Sequence, residues 1–284
     1  KETLRLFGIQ TKPLHKVLEY STNPYIPGVT GSERGAIKFI EDSGIELYDK
    51  ARKVRRLVNL SKQELAKLVT AIEIKKTSGT MAESTVGPVF LLKDEDEDSL
   101  KKDLREFSTL LNSCGRMGWP SLGIGVCLGD KVASKKANEL LRSYRKEIID
   151  ALNWYYENRS TPNVLEKKGY VIILAGSNIR DTIIGTLASL LAKSKVYPDG
   201  TIIMSTAYTL DGLIKVSLRI TGDTDSDTDL RVIIKELVAE GGGYGGGHKL
   251  AAGASIPQEK EDIMVREAIS SLNKYVSSRA VTAE

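Results

Sequence analysis

Apolar and polar positions alternate along this chain with two different periods, and the change of period divides it. Up to about residue 160 the spacing is mostly helical. "STNPYIPGVTGSERGAIKFIEDSG" opens with prolines and glycines, then turns amphipathic. Thr30 or Ser32 is placed to cap a helix carrying Ala36, Ile37, Phe39 and Ile40, and Gly44 to stop it. In "NLSKQELAKLVTAIEIKK", Ser61 and Glu64 have capping-box spacing ahead of Leu65, Leu68, Val69 and Ile72. A third helix is predicted with Leu104, Phe107, Leu110 and Leu111 on one face, ended by the Gly-Arg-Met-Gly-Trp-Pro turn. From about Asp130 to Asn158, Leu140, Leu141, Tyr144, Ile148 and Leu152 keep register in one long helix.

The texture changes near Thr161-Pro162. "YVIILAG" is a continuous apolar run, as expected of a strand buried on both faces. "IIGTLASLLAK" reads as a helix and "TIIMSTAY" as a strand. "YTLDGLIKVSLRI" predicts a hairpin, with Asp211-Gly212 as a type I′ turn and Ile214, Val216, Leu218 and Ile220 alternating with polar residues. "DTDLRVIIKELVAE" is a helix that runs into glycines, "LAAGASI" is strand-like, and an amphipathic helix follows Pro257. Strand–helix–strand order favours an α/β layer. The expected fold class is α/β: a mainly helical part, 1–160, followed by a compact α/β domain with a mixed sheet, 161–284.

Composition narrows the setting. The 284 residues carry a net charge of +4, which permits nucleic-acid contact without demanding it. Cys114 and Cys127 show no paired spacing, so neither a disulfide framework nor a zinc site is expected, and a reducing, cytoplasmic environment is. No apolar run approaches the length of a membrane span. Three glutamines against abundant Lys, Arg, Glu and Ile suit a heat-adapted protein. The acidic run Asp94 to Asp98 reads as a solvated turn.

The chemistry concentrates in "EGGGYGGGHKLAAGASIP". A flexible linker fits poorly, because a helix precedes this stretch and an apolar strand follows it. Glycine lets the backbone approach a ligand closely, and successive N–H groups can form an anion nest. Gly245, Gly246 and Gly247 with His248 and Lys249 are therefore the candidate phosphate loop. It is not a P-loop, since no Gly-Lys-Ser/Thr follows. Ser217 and Arg219 share one face of the preceding strand and could reach the same phosphate, or could simply form a polar sheet face. His15 lies on a predicted helix and reads as structural.

"KVSLRI", a helix, then "GGGYGGGHKLAAGASI" resembles the DHHA1 domain, the C-terminal lobe of DHH-family phosphoesterases. "LFGIQTKPLHKVLEYSTNPYIPGVTGSERGAIKFI" and "REFSTLLNSCGRMGWPSLGIGVCLGD" are similar to the archaeal RecJ-like proteins. That resemblance implies single-stranded DNA, the GINS complex and the MCM helicase as partners, in DNA replication and repair. The family's catalysis uses a D-H-H motif and aspartates holding two divalent metals, usually manganese. No Asp-His-His occurs here, and His15 and His248 are the only histidines. Asp94/Asp96/Asp98 and Asp223/Asp225/Asp227 have no accompanying histidine. Two accounts follow, with no metal cofactor in either unless a DHH lobe is present. One is a nuclease-inactive replication factor that binds single strands. The other is the C-terminal part of a manganese- or magnesium-dependent exonuclease, which a first residue other than Met favours. A free-standing binder of small phosphates is a third, lesser reading.

Overall fold

The computed structural model describes residues 2–21, 24, 26–75, 85–97, 99–194, 196–222 and 228–282. The chain forms two compact units, Lys1–Lys146 and Glu147–Glu284. Their division falls inside one long helix, whereas the change of texture at Thr161-Pro162 coincides with the turn before the second unit's first strand.

In the first unit, β1 (Glu2–Leu4) is followed by α1 (Leu14–Glu19), α2 (Glu33–Asp42) and α3 (Lys62–Lys75). Next come β2 (Val86–Pro88), α4 (Leu104–Arg116) and α5 (Pro120–Cys127). β1 and β2 pair antiparallel, a small sheet whose three-residue strands are too short to show a pattern. Leu4, Leu14, Leu18, Ile26, Ile40, Leu68 and Ile72 are fully buried in one core, each contributing about 1.5–3 kcal/mol by leaving water. Ser32 caps α2 by accepting from the Gly35 N–H at 3.0 Å. Thr30 instead braces the preceding loop, donating to the Ser21 carbonyl and accepting from the Ile26 N–H. The α3 capping box closes in both directions: Ser61 N–H donates to Glu64 at 2.8 Å and Glu64 N–H to Ser61 Oγ at 3.2 Å.

α4 differs from its expected face. Its buried residues are Glu106, Leu110, Ser113 and Cys114, while Leu104 is exposed. The physical reason is a polar interior: the buried Glu106 carboxylate accepts from Thr11 Oγ1 at 2.8 Å, some 95 residues away in sequence. The helix ends at the foreseen turn, but Pro120 at once opens α5 as its first residue, a position suited to its missing N–H.

α6 (Lys131–Asn158) begins in the first unit and ends in the second. Asp130 caps it, and Leu141, Tyr144, Ile148 and Leu152 are buried as the periodicity requires. The second unit continues with β3 (Val164–Lys167), β4 (Tyr170–Leu174), α7 (Asp181–Lys193), β5 (Ile202–Tyr208) and β6 (Leu213–Ile220). α8 (Leu230–Gly241), β7 (Tyr244–His248), β8 (Ala251–Pro257) and α9 (Glu261–Thr282) complete it. The strands form one mixed sheet in the order β3-β4-β5-β6-β8-β7, parallel only between β4 and β5.

Two expectations change here. The β5–β6 turn is not type I′, because that turn needs positive φ at both central residues and Asp211 does not have it. Gly212 alone is left-handed (φ +78), and Thr209 N–H donates to the Leu213 carbonyl across a three-residue loop. The glycine run is not a loop but an edge strand, β7, hydrogen-bonded to β8 along its length.

Candidate nucleic-acid interface

The register across the sheet assembles the site. β8 lies between β6 and β7, so Arg219, Ala251 and His248 fall in one cross-strand row. Ser217, Gly253 and Gly246 form the next row, and Lys215, Ser255 and Tyr244 the third. Residues opposite one another across a ladder share a face. The opposite face is packed with Val216, Leu218, Ala252, Ala254 and the apolar residues of α8 and α9.

On the chemical face, α7 covers β5 and β6 but not the outer strands. Ser189 of α7 accepts from Arg219 Nε at 3.0 Å, and a Cβ on Gly185 would lie 3.0 Å from Ser217 Oγ. Beyond α7 the sheet is a trough. Its floor is Ala251, Gly253 and Ser255, its inner wall Lys215 and Arg219, and its outer edge Tyr244, Gly246 and His248. Two inter-strand spacings make it about 10 Å across, and four residues along β7 about 14 Å long.

The glycines of β7 divide between the two faces. A Cβ on Gly245 would stand 2.5 Å from Ile234 Cγ2 of α8, so this position is closed by packing. Gly247 has φ +139, and a Cβ there would stand 2.5 Å from the Ala251 carbonyl oxygen. Gly246 faces the trough, and a Cβ there would meet nothing within 4 Å. Packing thus accounts for the first two glycines and not for Gly246, whose bareness keeps the trough open.

The structure brings most of the sequence-based candidates together. His248 is exposed beside the β7–β8 turn, and Lys249 occupies that turn, its carbonyl accepting from Leu230 N–H at 2.9 Å at the start of α8. Arg219 is partly buried, with Nη1 donating to the Leu218 carbonyl. Ser217 is 6 % exposed, set beneath Gly185 rather than on the trough's open surface. An anion nest requires successive N–H groups to converge, and β7 instead lays its backbone along β8. Two residues were not singled out from sequence, Lys215 and Tyr244. Both could have been found two positions before a chosen residue on the same strand face.

Elsewhere, His15 is buried on α1, its Nε2 3.4 Å from Glu33, and burial holds its pKa below the usual value. Arg145 lies over the rings of Phe7 (3.8 Å) and Tyr20 (4.9 Å), and burial lowers its pKa to about 10. Burial raises the Glu106 carboxyl above its ordinary value. Among the described residues, no three His, Cys, Asp or Glu side chains gather as a metal centre needs, so these residues do not fit a two-metal site. Asp98 and the run Asp223/Asp225/Asp227 lie outside the described residues. Among those described, no helix is long and apolar enough to cross a membrane.

Comparison with known proteins places this geometry. The DHH-CID domain model matches residues 6–87, and the DHHA1 domain model matches residues 168–278. The chain carries a DHH-CID domain and a DHHA1 domain. The trough belongs to the DHHA1 domain. An uncharacterised protein of Methanocaldococcus jannaschii is 30% identical over 258 residues, covering 90% of this chain and 51% of that protein. The chain therefore spans about half the length of that relative. CDC45 from Entamoeba histolytica has a similar fold: TM-score 0.57, 10% identity, 96% of this chain and 57% of that one. RecJ from Thermus thermophilus, solved with Mn2+, aligns with a TM-score of 0.45 and 14% identity over 60% of this chain and 24% of its own.

Proposed function

We propose that the chain is a RecJ-like replication factor that holds single-stranded DNA in the DHHA1 trough without cutting it. The observation that carries this reading is the open trough itself: a small-residue floor beside Lys215, Arg219 and His248, with Gly246 bare for no packing reason. Small floors let a nucleic-acid backbone approach the sheet, and flanking cations take its phosphates. The fold likeness to CDC45 agrees with a part in replication, and the non-cutting role rests on these 284 residues containing no Asp-His-His. GINS and the MCM helicase are the proposed partners on family resemblance.

A second reading is favoured by one observation: the chain spans about half of its M. jannaschii relative. On that reading the trough is one wall of a metal-dependent exonuclease whose metal ligands lie outside these 284 residues.

The test is binding and cleavage by the purified chain. Labelled oligo-dT is titrated over a salt series, and Lys215→Ala is expected to flatten the log–log slope by about 0.7 per lost phosphate contact. His248→Ala is expected to weaken binding at every salt concentration. Absence of any salt-dependent binding overturns the trough reading. Cleavage of the strand in Mn2+ that scales with chain concentration overturns the non-cutting role. A pull-down with GINS and MCM subunits tests the partners.

A further inference from the structure

We propose that Tyr244 is a base-stacking platform, so that the trough takes single strands by their bases as well as by their phosphates. The inference rests on the trough being a nucleic-acid site. Tyr244 opens β7 with its side chain on the trough face, in line with Gly246 and His248. Tyr244 as a residue is 68% exposed. Among the described residues its hydroxyl has no hydrogen-bond partner, so no polar bond ties the tip of the ring to the fold.

The surroundings match what stacking requires. Gly242, Gly243 and Gly245 flank the ring, so neither neighbour along the chain carries a side chain that would cover its faces. Lys215 lies in the same cross-strand row, two strands away, and Arg219 and His248 stand two rows further on. A strand running along β7 thus meets cations on one side and an aromatic face at one end. Stacking on a tyrosine is tolerant of base identity, because every base presents a π-face. It does require bases that are not already paired. The chemical class is therefore a single strand with unstacked bases, of no fixed sequence.

Removing the bases and removing the ring should have the same consequence. The probes are a labelled oligo-dT of about 12 nucleotides, an oligonucleotide of equal length with abasic residues throughout, and a duplex of the same length. Wild type should bind oligo-dT about 5- to 150-fold more tightly than the abasic strand, and more tightly than the duplex. Tyr244→Phe keeps that preference. Tyr244→Leu abolishes it while leaving affinity for the abasic strand unchanged, whereas Lys215→Ala weakens both strands alike. Thermal unfolding of each variant confirms that the domain is intact. Equal binding of oligo-dT by wild type and Tyr244→Leu overturns the stacking role and leaves the trough reading standing. Equal affinity of wild type for duplex and oligo-dT also overturns it. If wild type binds none of the probes, the trough reading fails and the stacking role with it.

Discussion

Gly245 and Gly246 are adjacent, yet alanine at each should do opposite things. At Gly245 the new methyl would sit 2.5 Å from Ile234 Cγ2, 3.0 Å from the Gly253 carbonyl oxygen and 3.1 Å from Ala254 Cβ. Ile234 is buried and β-branched, so it has no free rotamer into which to retreat. Overpacking of this kind costs about 1–3 kcal/mol. At Gly246 the methyl meets nothing within 4 Å, and the backbone is not left-handed. Alanine there restricts the unfolded chain and is worth about 0.4–1 kcal/mol of added stability. The two variants should differ by about 1.5–4 kcal/mol in unfolding free energy. At about 3 °C per kcal/mol for a unit of this size, that is a gap in Tm of about 5–12 °C. Differential scanning calorimetry measures it. Nucleic-acid binding should reverse the order, because the Gly246→Ala methyl projects into the trough while that of Gly245→Ala faces α8. Equal Tm values for the two variants, or binding lost in Gly245→Ala and kept in Gly246→Ala, would refute the assignment of faces.

Three further outcomes follow from the packing. Arg55 and the Ser61 N–H hold the Glu64 carboxyl down at about 2, from an ordinary 4.5. A depressed carboxyl stabilises the fold above its unfolded pKa and loses that contribution as pH falls through its folded one. Glu64→Gln should therefore lower stability by about 1 kcal/mol at pH 7, with the deficit shrinking from pH 4.5 towards 2 in urea titrations. Tyr197→Phe removes the bond to Glu166 Oε1 (2.6 Å) and the one shared with the buried Tyr155 hydroxyl. It should destabilise the second unit by about 1–3 kcal/mol, seen as a lower denaturant midpoint. Native-state maleimide labelling should stop at one adduct, on exposed Cys127, because Cys114 is buried and burial pushes its thiol up; mass spectrometry finding an adduct on Cys114 in the folded chain would contradict this.

What the chain's pattern disclosed was local, and what it concealed was pairing. α2, α3, α6, α7 and α8 carry enough periodic apolar residues to be read directly, as do the buried strands β4, β5 and β6. β3 buries only Val164 of its four residues, and α5 is apolar nearly all round, so neither has a period to detect. β7 was concealed because glycine has no strand preference of its own; its extended form is imposed by β8 beside it and by Ile234 against Gly245. The candidate residues Arg219 and His248 were visible as chemistry. Their alignment was not, because it depends on β8 entering between β6 and β7. Glu106 was placed on no buried face because its partner Thr11 lies in a distant segment.

β7 has a neighbour on one side only, so the strand that frames the trough is also the one whose amides have the least to hold them. Opening it breaks a single ladder and exposes little apolar surface. The N–H groups of Gly245 to Gly247 that donate to β8 should therefore exchange with solvent deuterium at a local opening free energy well below that of global unfolding, while those of β4 and β5 exchange only near the global limit. A ligand that binds only the closed strand slows that exchange by a factor of 1 + [L]/Kd. The edge strand is in this sense its own reporter: occupancy of the trough can be followed at those glycine amides that bond β8, which alternate along the strand, without a label, a cofactor or any turnover.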